Sequence, residues 1–129
     1  MQLTITRAVK LILITAILAS SVMAQAQPKP TRVRAPVTVR GLVGGEAGDI
    51  YVVQLRKNRL VTMELSWRQE EDNTASFGVS ASPSLDPVNF GKESDGGRKW
   101  VGRIPKTGDY FVEVMAHPAA HYTLKISIK

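Results

Sequence analysis

The sequence predicts an all-β protein: a single antiparallel β-sandwich of about seven short strands, jelly-roll-like, behind a cleaved signal peptide. Three features carry that expectation. The first is the C-terminal run Arg98–Lys129, whose alternating segments are broken at Pro105–Gly108 and at Pro118. In its last segment Tyr122, Leu124, Ile126 and Ile128 are apolar, while Thr123, Lys125, Ser127 and Lys129 are polar. That period of two gives a strand one wet face and one buried face. The second is the frequent Gly, Pro and Asn punctuation between short apolar runs. The third is the lack of any helical period, heptad or internal repeat after the N-terminal run. Because the alternation is mostly one-sided, a sandwich fits better than a barrel.

At the start of the chain, Arg7 and Lys10 precede the uncharged, mostly apolar run Leu11–Met23. Ala24-Gln25-Ala26 then places small residues where a signal peptidase reads them. The run falls short of the ~20 apolar residues of a permanent membrane helix. Residues 1–26 therefore read as a secretory signal, cut after Ala26 or after Ala24, with an uncleaved anchor as the alternative. No cysteine stands at the boundary to carry a lipid. Removing Arg7 and Lys10 leaves 15 basic and 11 acidic residues, a net charge of +4. So mild a charge on an exported chain does not point to nucleic acid. No cysteine occurs anywhere, which excludes disulfides, thiolate metal sites and cysteine nucleophiles. The expected compartment is a bacterial periplasm, with secretion beyond the cell as the alternative and no membrane span once the signal is cut.

Residues 27–36, with three prolines and Lys29, Arg32 and Arg34, read as an extended, mobile basic leader. The sandwich domain occupies 37–129. Val37–Val43 is its first strand, with Val37, Val39 and Leu42 as inward candidates, and Gly44–Gly48 is a turn. Asp49–Arg56 follows with Tyr51, Val53 and Leu55 on one face. Lys57-Asn58 reads as a tight hairpin turn, because Asn tolerates the left-handed backbone. Leu60–Trp67 turns Val61, Met63, Leu65 and Trp67 to one side; Arg68–Thr74 is a charged loop. Ala75–Ala81 buries Phe77 and Val79, and the long gap Ser82–Gly97 has Phe90 as its one large apolar anchor. The segments Arg98–Ile104, Asp109–Ala116 and His121–Lys129 then read as an antiparallel meander. The middle one is apolar on nearly both sides, as suits a strand inside a sheet.

Most chemistry fails against this sequence. His117 and His121 flank Pro118-Ala119-Ala120 and could meet across a hairpin, but a metal site needs three or four ligands and no other histidine exists. Two surface histidines are the simpler reading. Glu70-Glu71-Asp72 and the pair Glu93, Asp95 lack the spacing of a calcium loop. No serine sits in a nucleophile elbow, and no glycine-rich phosphate loop precedes a helix. No metal, cofactor or enzymatic activity is expected. Basic residues gather at Arg32, Arg34 and Arg40, at Arg56, Lys57 and Arg59, and from Lys92 to Lys106. Such groups are ordinarily solvated strand edges. Their functional alternative is an electropositive patch for a protein carboxylate or an envelope polymer. Thr107-Gly108-Asp109-Tyr110 invites a similar choice. Gly108 can supply a left-handed turn and Tyr110 can pack at the rim, or the turn can project a hydroxyl, backbone amides and Lys106 into a partner's cleft.

The Gly48-Asp49-Ile50-Tyr51 start of one strand, the long loop, and the TGDY and HYTLKISIK segments resemble the prepeptidase C-terminal (PPC-like) β-sandwich modules of exported bacterial proteins. Among stand-alone members, the chain is similar to the periplasmic inhibitors of g-type lysozyme. Those proteins carry a Ser-Gly-x-Tyr motif entering the penultimate strand. The resemblance spans Val37–Lys129 and implies inhibition by inserting a turn into the lysozyme cleft. Thr107 stands where the inhibitors have serine, and Gly108 and Tyr110 match. The implied partner surface is Lys106, Thr107, Gly108, Asp109 and Tyr110, with His117 and His121 beside it. The family's longer basic loop before the last strand is here the short Ala116–His121, where only a protonated histidine offers charge. The alternative is a PPC-like module for an envelope polysaccharide, peptidoglycan or another secreted protein. For it, Trp67 and Trp100 are the aromatic candidates.

Overall fold

The computed structural model describes residues 29–45 and 47–129 as nine strands in two sheets, with no helix among them. The signal peptide of the sequence reading lies outside the described residues. In chain order the strands are β1 (Thr31–Val33), β2 (Val37–Gly44), β3 (Asp49–Leu55), β4 (Leu60–Trp67), β5 (Thr74–Ser80), β6 (Lys92–Ser94), β7 (Lys99–Arg103), β8 (Gly108–His117) and β9 (Ala119–Ile128). One sheet has the order β1-β3-β8-β5 and the other β2-β9-β4-β7-β6. Pairing is antiparallel except between β1 and β3, which run parallel.

The all-β sandwich stands, with seven strands close to the expected bounds and two more, β1 in the leader and β6 in the long gap, where none is expected; its connections differ from the expected ones. Only β6 and β7 are consecutive in sequence and paired with each other. Every other connection carries the chain from one sheet to the other, as in a jelly roll. The C-terminal meander is therefore absent. β7 pairs with β4 and β6, β8 with β3 and β5, and β9 with β2 and β4. A single residue, Pro118, separates β8 from β9, and it marks a corner between sheets. That corner packs against Gly44, where a Cβ would come within 2.6 Å of both Ala119 Cβ and the Pro118 carbonyl. Lys57-Asn58 is likewise an inter-sheet link and not a hairpin, although Asn58 has the expected left-handed backbone (φ 71°).

Two more expectations change. The leader contributes β1: Thr31, Arg32 and Val33 lie in register with Tyr51, Val52 and Val53. Leu42 is 61% exposed, because the period of two places it with Thr38 and Arg40 while Val43 turns inward.

Two interior strands, β8 and β9, supply much of the core. On β8 Val112 and Val114, and on β9 Leu124 and Ile126, are completely buried, as are Val53, Val61 and Met63 of their neighbours. Each such side chain contributes about 1.5–3 kcal/mol by leaving water. The long gap is held by aromatic packing. Phe90 meets Trp100 and Tyr110 edge-on at centroid distances of 5.9 and 6.1 Å. Trp100 lies so close to Gly91 and Gly102 that a Cβ there would approach its ring to 2.5 and 2.4 Å.

A polar tie joins the sheets near the other end. Tyr122 of β9 donates its hydroxyl proton to Asp49 Oδ2 at 2.6 Å, so the Tyr51 hydroxyl, 2.5 Å away, must donate to Tyr122. The Tyr122 ring rests on its cross-strand partner Gly41, where a Cβ would sit 2.7 Å from the hydroxyl. Burial above all, and then the bonds to Asp49 and Tyr51, push the Tyr122 phenol well above its ordinary value of 10.0. A raised phenol favours the fold below pH 10, where both states keep the proton. The unfolded chain gives it up above pH 10, and that stability is lost as pH climbs. Thermal melts should show the midpoint falling above about pH 10, with a shallower fall in Tyr122→Phe. At neutral pH that variant should lose about 1–3 kcal/mol, since Asp49 and Tyr51 are left without their shared partner.

Candidate functional site

Four inter-sheet links gather at one end of the sandwich: Arg34–Pro36, Arg56–Arg59, the long loop after β5, and Ile104–Thr107. The register fixes this, because Leu55 at the end of β3 lies opposite Gly108 at the start of β8. Two of the links are bonded to each other. The Asn58 N–H donates to the Ile104 carbonyl at 2.7 Å, and the Ile104 N–H donates to the Arg59 carbonyl at 2.9 Å. The Arg103 guanidinium donates to the Asn58 carbonyl at 2.8 Å.

The Thr107–Tyr110 segment is clamped within this frame. The Lys57 N–H donates to Thr107 Oγ1 at 2.9 Å, so the hydroxyl has a structural bond. Tyr110 is 4% exposed and donates its hydroxyl to the Lys106 carbonyl at 2.6 Å, bracing the turn from inside. Arg32 of β1 grips Asp109 by donating from both terminal guanidinium nitrogens, at 3.1 and 2.9 Å. That hydrogen bond holds the Asp109 carboxyl below its usual range and raises the Arg32 guanidinium. Gly108 is the exception. Its φ is outside the left-handed region and a Cβ would meet nothing within 4 Å, so neither turn geometry nor packing requires glycine there. The sequence reading of Gly108 as a left-handed turn residue does not hold, because it already belongs to the extended β8 ladder.

The expected site divides. Lys106, Thr107, Gly108, Asp109 and Tyr110 are contiguous at this end. His117 closes the far end of β8, roughly 30 Å away at about 3.3 Å per residue. His121 sits near the same far end in the other sheet, opposite Leu42 of β2, while His117 pairs with Thr74 of β5. Both are exposed, and no hairpin brings them face to face. Among the described residues no group of three or more metal-ligating side chains gathers.

Charge separates along the same axis. The end carrying the clamped turn presents Arg34, Arg56, Lys57, Arg59 and Lys106, all exposed. Glu70, Glu71 and Asp72 lie at the opposite end, in the loop between β4 and β5. That loop is pinned by Asn73, 3% exposed, whose amide donates to the Arg68 and Ala119 carbonyls and accepts from Glu70 N and Gln69 Nε2. Sequence grouping put Arg40 with Arg32 and Arg34, but Arg40 lies on β2, across the other sheet. In its place, the β1–β3 pairing brings Arg32 and Arg34 to Arg56 and Arg59 around an open cleft of about 690 Å³. Only the parallel β1 pairing forms that cluster, and no local pattern announces it. Neither tryptophan is a bare platform. Trp100 is buried, and the Arg98 guanidinium covers one face of Trp67, 4.2 Å from the ring centroid.

No family model matches the chain, and no curated protein matches its sequence. Solved structures do. The periplasmic inhibitor of g-type lysozyme PliG from Aeromonas hydrophila is similar with a TM-score of 0.60 at 20% identity, over 78% of this chain and 98% of that one. PliG from Salmonella Typhimurium gives 0.55 at 20% identity, over 78% and 100%. The pre-peptidase C-terminal domain of Bacillus anthracis collagenase gives 0.61 at 16% identity, over 81% and 100%. These are the two kinds of protein that the sequence motifs resemble, and at such identities the likeness establishes the fold, a PPC-like sandwich.

The clamped turn yields a stability contrast. Gly108→Ala should melt within about 0.5 kcal/mol of the parent protein. Tyr110→Ala should lose about 3–5 kcal/mol, as a buried aromatic with a bonded hydroxyl. Denaturant unfolding of the two variants checks both values.

Proposed function

We propose that the mature domain is an exported, non-catalytic inhibitor of g-type lysozyme. It presents the Lys106–Tyr110 turn to the enzyme's substrate groove. The observation that carries this reading is Gly108, a glycine the fold does not need, at the start of β8 in a segment fixed on three sides by Lys57, Arg32 and the Lys106–Tyr110 bond. A turn ordered in advance loses little entropy on docking. A position without a side chain lets backbone amides come close to a facing carboxylate. Glycosidases that act through carboxylates present such a group in the groove, and the basic end of this domain complements it. The likeness to the two periplasmic lysozyme inhibitors supports the compartment and the kind of partner.

In this reading His117 and His121 drop out of the contact, since one docked face does not reach both ends of the sandwich. Arg56, Lys57 and Arg59 beside the turn take the part of the family's longer basic loop. The comparable likeness to the collagenase domain favours a second reading, a binding module for an envelope polysaccharide or another secreted protein. Retention of the purified domain on peptidoglycan with no lysozyme present would support that one.

Titrating the mature domain against g-type, c-type and i-type lysozymes in a lytic assay tests the proposal. The expected outcome is stoichiometric loss of g-type activity alone. Gly108→Phe, folded as judged by its melt, should weaken inhibition at least about tenfold, as loss of a central contact does. If none of the three enzymes is inhibited, the proposal fails.

A further inference from the structure

We infer that the arginine cleft beside the turn is a binding site for phosphate groups. This goes beyond inhibition and does not depend on it, although Arg56 and Arg59 border both surfaces. Arg32, Arg34, Arg56 and Arg59 line one open cleft, with Val33, Ala35, Pro36 and Ile128 among its walls. Val33, Ala35 and Ile128 are partly buried against the core. Apolar walls under like charges concentrate the field in the opening.

The four guanidinium groups are not equally engaged. Arg32 spends its fork on Asp109, and Arg59 donates Nε to the Lys129 carbonyl at 3.2 Å. Among the described residues Arg34 and Arg56 make no side-chain hydrogen bond or ion pair, yet they face the same opening. Arginine cannot shed its charge to relieve crowding. A lone carboxylate would satisfy one fork. A phosphomonoester carries about −1.5 to −2 and three acceptor oxygens, enough for the Arg34 and Arg56 forks together with the remaining Arg59 donors. Planar, bidentate guanidinium groups suit such oxygens better than ammonium groups do. The phosphate can come from a free anion or from a lipid headgroup of the envelope, and the chemistry in the cleft is the same.

The test uses the mature domain with two probes: inorganic phosphate by calorimetry at fixed ionic strength, and phosphatidylcholine vesicles containing phosphatidic acid by co-sedimentation. Arg34→Gln/Arg56→Gln should weaken binding at least about tenfold. Arg40→Gln/Lys125→Gln removes equal charge from the outer face of the other sheet and should change it less than about twofold. Arg34→Lys/Arg56→Lys keeps the charge but loses the forks and should fall well below the parent. All these positions are exposed, so circular dichroism should report unchanged folds. Competition between inorganic phosphate and the vesicles would identify a site for any phosphate. Vesicle binding that is sensitive to the cleft pair but untouched by phosphate would identify a headgroup site. Equal losses from the cleft pair and the control pair, or no binding of either probe, would overturn the inference.

Discussion

The constraint on which this molecule depends is that the chain changes sheets at nearly every link. Only β6 and β7 stay together. Each crossing turns a row of alternating side chains toward the space between the sheets. The interior strands β8 and β9 therefore lie in different sheets instead of pairing with each other. Val112 and Val114 on one, and Leu124 and Ile126 on the other, lose all contact with water. The crossing at Pro118 needs a small residue where it packs closely, Gly44.

The same winding decides where function can sit. Crossings collect at the two ends of the sandwich, so residues far apart in sequence become neighbours there. One end joins Arg56–Arg59 to Ile104–Thr107 through backbone bonds and adds the leader through Arg32. It collects basic residues, while the loop holding Glu70, Glu71 and Asp72 is bound at the opposite end by Asn73. Within the basic end, Tyr110 and Thr107 have work inside the fold and Gly108 has none. A surface that puts one position outside the needs of folding on a rigid base is suited to contact with another molecule.

Much of the fold was legible because inward and outward residues alternate strictly on β4, β8 and β9. Tyr122, Leu124 and Ile126 share one face by period alone, and all are buried. Partner strands were not legible. Pro105–Gly108 and Pro118 look alike as hairpin turns and as corners, because local turn chemistry does not encode which sheet the chain enters next. β1 was not legible because three residues are too few to carry a period, and it forms only against β3. The candidate turn was visible as TGDY. The arginine cleft was not, since its members come from two segments joined only by that parallel pairing. The histidines misled for the opposite reason: nearness in sequence hid their placement in different sheets.

Amide hydrogen exchange on the mature domain, with and without a saturating g-type lysozyme, tests most directly the claim that the clamped basic end is the contact surface. Slowed exchange confined to Arg56–Arg59 and Ile104–Asp109, with His117–His121 and the Glu70–Asn73 loop unchanged, is the result this account predicts. Protection at the histidine end, or no protection anywhere, would contradict it.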